Sequence, residues 1–197
     1  LSPLYGIRLL HKAGLPDGLV QVVCGEGPDI GPTLIDNANY VMFTGSTATG
    51  RVVGERAGRN LIGCCLELGG KNPMIVLPDA NLEETVKGAL FGCYGNTGQI
   101  CMHIERLYVH DSMYDAFKSK FVEATKNLDI AARYDFTPDV GSLISPEHLQ
   151  RVASHVDDAV AKGATVLVGG KARPDIGPAF FEPTVLEGVT PDMLAGS

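Results

Sequence analysis

The chain has 197 residues, 45% of them hydrophobic and 20% charged, a balance that supports one sizeable core or two smaller ones and excludes a disordered segment. Its formal net charge is −7 and its 16 lysines and arginines are scattered, which argues against a nucleic-acid surface; no apolar run approaches the roughly 18 residues of a membrane span. The five cysteines are odd in number and contain no CxxC pair, so a disulfide framework and a zinc site have little support, and a reducing cytoplasm is the expected setting.

SPLYGIRLLHKAG reads as a helix, with Ser2 as N-cap, Pro3 in the first turn and Gly14 as the stop. GLVQVVCG reads as a short apolar strand and DIGPTLID as a brief helix. YVMFTGS is a strand that turns at Gly45 straight into the helix TATGRVVGERA, and LIGCCLEL is the next strand, ended by Gly69 and Gly70. NPMIVLP is again a strand. Asn81, with Glu84 three residues on, caps a helix whose apolar face is Leu82, Val86, Ala89, Leu90 and Cys93. After the turn NTGQIC comes the strand RLYVH, then a helix with Phe117, Phe121, Ala124 and Leu128 on one face. The last helix starts at Ser145-Pro146 and turns Leu149, Val152, Val156 and Val160 inward; ATVLVGG and FFEPTVLE follow as strands. Alternating strands and helices predict an α/β fold with parallel strands, and such folds bind ligands at the carboxyl ends of strands.

Three stretches carry candidate chemistry. In FTGSTATG, Gly45 lets a ligand approach, and Ser46 with the helix start behind it suits a phosphate; Ser46 as a simple helix cap is the competing reading. In LELGGKNP, Glu67 ends an apolar strand, where burial would raise its pKa toward that of a general base; a glutamate that reaches water there is the plainer alternative. In GQIC, Cys101 follows a glycine-rich turn that offers backbone N–H groups to a nucleophilic thiolate, whereas a small buried core residue is the commoner fate of cysteine. Cys24, Cys64, Cys65 and Cys93 read as core. His103 is too far along a strand from Cys101 to pair with it, Arg106 reads as structural, and Asp157 and Asp158 read as a solvated helix face.

FTGSTATG, LELGGKNP and GQIC in this order resemble the aldehyde dehydrogenase superfamily, and the likeness runs on through ERLYVHDSMYDAF, GSLIS and FFEPTVL. DFTPDVGSLIS with GGKARPDIGPAFFEPTVL is similar, in particular, to actinobacterial succinic semialdehyde dehydrogenases. The resemblance implies the end of a Rossmann-like cofactor domain over residues 1–69 and the first part of the α/β catalytic domain over 70–197. It implies that Cys101 attacks an aldehyde, giving a thiohemiacetal and then a thioester, that Glu67 activates the hydrolytic water, and that the Cys101 N–H is half of an oxyanion hole. Gly27, Gly45 and Ser46 match pyrophosphate-site positions and Leu68 one near the nicotinamide; the cofactor is NADP or NAD, with NADP favoured.

The resemblance further implies a small-molecule aldehyde as partner and a homodimer or homotetramer. Family members are more than twice as long, so an oxyanion-hole Asn, a ribose-binding Lys and the nicotinamide-ribose motif are expected outside residues 1–197, and the 197 residues alone are expected to be inactive. Two positions depart from many succinic semialdehyde dehydrogenases: Gly95 stands where an Arg holds the substrate carboxylate, and His103 where some carry a second, redox-active cysteine. A CoA-acylating enzyme and a non-catalytic protein of the same fold are the competing readings; Glu67 argues against the first, and Cys101 with Glu67 against the second.

Overall fold

A computed structural model describes residues 2–133 and 135–196. Cα packing divides the chain into two compact units, Leu1–Leu68 and Gly69–Ser197.

The first unit comprises α1 (Ser2–Lys12), α2 (Gly27–Asp36), β1 (Tyr40–Gly45), α3 (Thr47–Arg59) and β2 (Gly63–Leu68). β1 and β2 pair in parallel with Tyr40 opposite Gly63 and Gly45 opposite Leu68. The connecting helix α3 lies close on β2 because it presents small residues to it. A Cβ at Gly50 would come within 2.5 Å of Leu68 Cδ2, and one at Gly54 within 3.3 Å of Leu66 Cδ1. Asp36 at the end of α2 takes Arg56 of α3 through two hydrogen bonds (2.8 and 2.5 Å) and Asn60 through a third at 2.9 Å, tying the two helices together. Ser2 lies within α1 rather than before it, and Gly14 takes the left-handed φ of 95° that suits a helix stop.

The expected strand over residues 18–25 is irregular chain. A strand needs a neighbour for its backbone N–H and C=O groups, and residues 18–25 pair with neither edge of β1–β2, the only ladder among this unit's described residues. Leu19 and Val23 are accordingly exposed.

The second unit holds β3 (Asn72–Val76), α4 (Leu82–Tyr94), β4 (Ile104–Val109), α5 (Asp111–Lys126), α6 (Pro146–Ala161), β5 (Thr165–Val168) and β6 (Val185–Glu187). β3 and β4 run parallel with α4 between them, the βαβ arrangement that the sequence predicts. α4 starts where the Asn81 side chain accepts the Glu84 N–H at 3.2 Å. Val86 and Ala89 of α4 and Phe117 and Phe121 of α5 are buried with Val76 of β3 in one cluster, against which Leu82, Leu90, Cys93 and Ala124 pack. The Phe117 and Phe121 rings stack at 5.5 Å. α5 is capped by His110, whose ring nitrogen accepts the Ser112 N–H at 3.2 Å. On α6, Ser145 caps and Val156 is buried with Leu143, Ala179 and Phe181, whereas Val160 is half exposed on the last turn.

The closing strands depart from the parallel expectation. β5 and β6 are antiparallel, with Thr165 opposite Glu187, and FFEPTVLE is a strand only over Val185–Glu187. A parallel return needs a crossover, usually helical. The stretch between β5 and β6 has no helix and doubles back on itself through an Ala172–Phe181 bridge, so the chain can only return alongside itself in the opposite sense.

Candidate active site

In the first unit, the carboxyl edge of the β1–β2 pair brings four of the candidate residues together. Thr44 faces Glu67 and Gly45 faces Leu68 in register, and Ser46 follows Gly45 directly. The strand's alternation sends Leu66 and Leu68 toward α3 and Glu67 to the other face, where it is exposed. There the Cys65 thiol donates to Glu67 Oε1 at 3.9 Å. The burial expected of Glu67 is thus not found within this unit: the strand exposes the face it shares with Cys65. Ser46 is the N-cap of α3, its hydroxyl accepting the Thr49 N–H at 3.2 Å. The amides of Thr47 and Ala48 are first-turn donors that a helix start leaves without intrahelical acceptors. With the positive end of the α3 dipole they form a donor set that fits the phosphates of a dinucleotide. Gly27 begins α2 beside Pro28, with open space where a Cβ would stand.

In the second unit, Cys101 sits in the turn between α4 and β4, exposed, its thiol making no hydrogen bond among the described residues. The approach to it is backbone in an uncommon conformation: Asn96, Thr97 and Gly98 take φ of 50°, 60° and 70° in succession. Left-handed non-glycine residues cost roughly 1–2 kcal/mol each, so the turn needs holding from outside. Thr97 Oγ1 accepts the Gly141 N–H at 3.2 Å, Gln99 Oε1 accepts the Ile144 N–H at 2.8 Å, and Gln99 Nε2 donates to the Ser142 carbonyl at 3.2 Å. The segment 141–144 is therefore the frame on which the cysteine turn is mounted. From the other side, Asn72 Nδ2 donates to the carbonyls of Cys101 (2.8 Å) and His103 (2.9 Å).

This arrangement can present an accessible thiol among fixed backbone dipoles, which is what nucleophilic attack on a carbonyl needs. The profile of the aldehyde dehydrogenase family matches residues 1–196. The chain belongs to the aldehyde dehydrogenase family. A relative from Mycolicibacterium smegmatis that carries the provisional name succinate-semialdehyde dehydrogenase (NADP+) is 54% identical over 96% of this chain and 37% of its own length. Succinate-semialdehyde dehydrogenase (NADP+) 2 of Schizosaccharomyces pombe is 38% identical over 97% of this chain and 39% of its own. The crystal structure of succinate-semialdehyde dehydrogenase from Burkholderia pseudomallei superposes with a TM-score of 0.91 at 40% identity, over 96% of this chain and 39% of that one. Betaine aldehyde dehydrogenase from Staphylococcus aureus in complex with NAD+ superposes at 0.93 with 34% identity, over 100% of this chain and 40% of that one. The chain thus spans less than half the length of the aldehyde dehydrogenases it matches.

Within this aldehyde dehydrogenase chain the cysteines separate clearly. Burial alone pushes the Cys93 thiol up to about 12, which keeps it protonated and unreactive. Cys24 and Cys64, expected in the core, are exposed and Cys65 is half-buried. Arg106 takes a structural role, donating to the Gly196 carbonyl at 2.5 Å. Asp158 is more than a solvated charge: it accepts the Leu194 N–H at 2.7 Å and pairs with Lys162 at 2.9 Å. Gly95 caps α4 with only Phe91 Cε2, at 4.0 Å, near a would-be Cβ, so the position has room for a side chain that it lacks.

Asn72, Gln99, Lys71 and Glu105 were not among the sequence candidates, and His103 was weighed only as a partner for the thiol and as the place of a second cysteine. His103 lies in the turn before β4, not on the strand, and its ring faces the Ile100 carbonyl (Nδ1, 2.7 Å) and Glu105 (Nε2, 3.0 Å). Lys71 holds the other oxygen of Glu105. The one sequence signal for them was their place inside LELGGKNP (Lys71, Asn72), inside GQIC (Gln99) or just after it (His103, Glu105).

Proposed function

We propose that the whole protein of which these residues form part oxidises an aldehyde with NADP+ or NAD+, and that succinic semialdehyde is the substrate. The observation that carries the reading is the exposed Cys101 thiol in a turn clamped from two sides, in a chain of the aldehyde dehydrogenase family. The Cys101 thiolate adds to the aldehyde carbonyl, forming a C–S bond and a thiohemiacetal whose oxyanion takes a hydrogen bond from the Cys101 N–H. A bound nicotinamide supplies the acceptor for the hydride that leaves the same carbon. The thioester left on Cys101 is hydrolysed by water from which Glu67 takes a proton, releasing the acid and the thiol. Ser46, Gly27 and Gly45 hold the pyrophosphate and Leu68 packs near the nicotinamide; the first-turn amides of α3 support that assignment.

Residues 1–69 then serve as the end of the cofactor domain and 70–197 as the start of the catalytic domain. The names of the relatives support NADP+ and succinic semialdehyde, while the empty space beside Gly95 means that a carboxylate receptor has to come from another position. The assembly is a homodimer or homotetramer and the setting the cytoplasm, in keeping with five free cysteines.

The test is a panel on the whole protein: succinic semialdehyde against neutral aldehydes of matched length, each with NADP+ and NAD+, with and without CoA. Succinate as product, independent of CoA, is the expected result. Formation of succinyl-CoA would replace the hydrolytic reading with an acylating one, and absence of any aldehyde-dependent reduction would end both.

A further inference from the structure

One cluster around Cys101 has no part in that mechanism. The His103 ring has acceptors on both nitrogens: the Ile100 carbonyl 2.7 Å from Nδ1 and Glu105 Oε1 3.0 Å from Nε2. Carbonyl and carboxylate oxygens only accept, so the ring makes both bonds when both nitrogens carry protons. Glu105 is held in turn by Lys71 on its second oxygen, and all three side chains are about three-quarters shielded from water (side-chain exposure 22–23%), which strengthens their mutual attraction. His155 of α6 lies close enough to feel the charges of Lys71 and Glu105. Burial, and after it the positive charges of Lys71 and Arg151, hold it below the usual histidine range.

The carbonyl that His103 engages belongs to the same planar peptide unit as the Cys101 N–H. Fixing the oxygen of a trans peptide fixes the direction in which its N–H points. A charged or strongly polar donor on that oxygen also polarises the amide and makes the N–H a better donor. The His103 backbone N–H adds a second bond to the same oxygen at 3.1 Å, and Asn72 holds the next peptide plane through the Cys101 carbonyl.

We propose that His103, braced by Glu105 and Lys71, is a positioning residue that aims and polarises the Cys101 N–H toward the developing oxyanion. It touches neither the thiol nor the substrate and acts through one peptide plane. The inference rests on the reading of that N–H as an oxyanion donor. It predicts a specific division of effects. Charge develops on the carbonyl oxygen during attack on an aldehyde, whereas alkylation of the thiol by iodoacetamide develops no oxyanion. His103 is therefore required for the first reaction and not for the second.

The experiment is steady-state and alkylation kinetics on the whole protein with His103→Gln and, as a gentler change, Glu105→Gln. Expected for His103→Gln is a fall in kcat of at least tenfold with KM for the aldehyde and the rate of Cys101 alkylation within twofold of wild type. Glu105→Gln, which keeps an acceptor for the ring but removes its charge, should show a smaller fall in kcat with the same unchanged alkylation. A kcat within twofold of wild type in both variants overturns the proposal. So does a parallel loss of alkylation and turnover, because the ring would then be propping the turn as a whole. Should His103→Gln not fold, Glu105→Gln alone decides by the same two criteria. Failure of the underlying reading is recognised separately: wild-type protein that reduces no NAD(P)+ with any aldehyde ends the dehydrogenase reading, and aldehyde oxidation that survives complete alkylation of Cys101 ends the reading of Cys101 as nucleophile.

Discussion

The side-chain amide of Asn72 donates to the carbonyls of both Cys101 and His103, at 2.8 and 2.9 Å, and so grips the chain on either side of Met102. The residue that starts β3 thereby sets the position of a thiol 29 residues further on. Replacing Asn72 by Ala leaves two acceptors without their donor, at roughly 1–3 kcal/mol for each that stays away from water. Turnover of the whole protein should fall by about ten- to a hundredfold, and hydrogen exchange should quicken at residues 99–104. Unchanged exchange there would mean that Gln99 and His103 suffice to hold the turn.

The cysteines should react in the order of their surroundings. At pH 8 the Cys93 thiol, pushed up to about 12 by burial, stays protonated, while Cys101 is exposed. Peptide mapping after brief iodoacetamide treatment is expected to find Cys101 labelled and Cys93 intact. Cys101→Ser should abolish aldehyde oxidation in the whole protein, and Cys93→Ser should leave it within a few-fold of wild type. Prompt labelling of Cys93 in folded protein would contradict the packing of α4 described above.

Glu67 faces away from α3, on the side of β2 that it shares with Cys65. If its task is to activate the hydrolytic water, Glu67→Gln should preserve a rapid initial burst of NAD(P)H, close to one equivalent per active site, and slow the steady state by about a hundredfold or more, the range general base catalysis commonly contributes. Stopped-flow absorbance separates the two phases. Equal loss of burst and steady state would assign Glu67 to activating the thiol instead.

Asp36 gives the first unit a defined acid sensitivity. Hydrogen bonds from Arg56, chiefly, and from Asn60 lower its carboxyl from 3.8 to about 2. A depressed folded-state pKa means that the group's stabilisation is fully present above the unfolded value and is lost as pH falls through the folded one. The difference in melting temperature between wild type and Asp36→Asn should therefore be constant above pH 5 and shrink between about pH 4 and pH 2. Thermal scans across that range test it; a difference that grows on acidification would show that Asp36 is not paired in the folded protein.

Phe121 is the centre of the second unit's core, 3% exposed and stacked on Phe117 at 5.5 Å and on Tyr94 at 6.1 Å. Phe121→Ala should cost about 3–5 kcal/mol, the usual loss when a buried aromatic is cut back to a methyl group. Denaturant titration of the variant measures it. A loss below about 1 kcal/mol would mean that α4 and α5 close over the cavity.

Much of this protein was legible in the order of its residues because the signals are short-range. The caps Ser46, Asn81 and Ser145 each accept an N–H three residues on, so each could be read from its own neighbourhood. The inward faces of α4 and α5 follow from a 3.6-residue period for the same reason, and FTGS, LELGG and GQIC are each contiguous. What the amino-acid order left open depends on contacts between residues far apart. Residues 18–25 have strand-like composition, yet a strand exists only where it pairs with a neighbour, and these residues pair with neither edge of β1–β2. β5 and β6 read like the strands before them, and only the helix-free return between them made the pair antiparallel. Gln99 finds Ile144 across 45 positions and Asn72 finds Cys101 across 29. Local propensity names a nucleophile and a turn; the direction in which the Cys101 peptide points is decided by groups that only the folded chain brings to it.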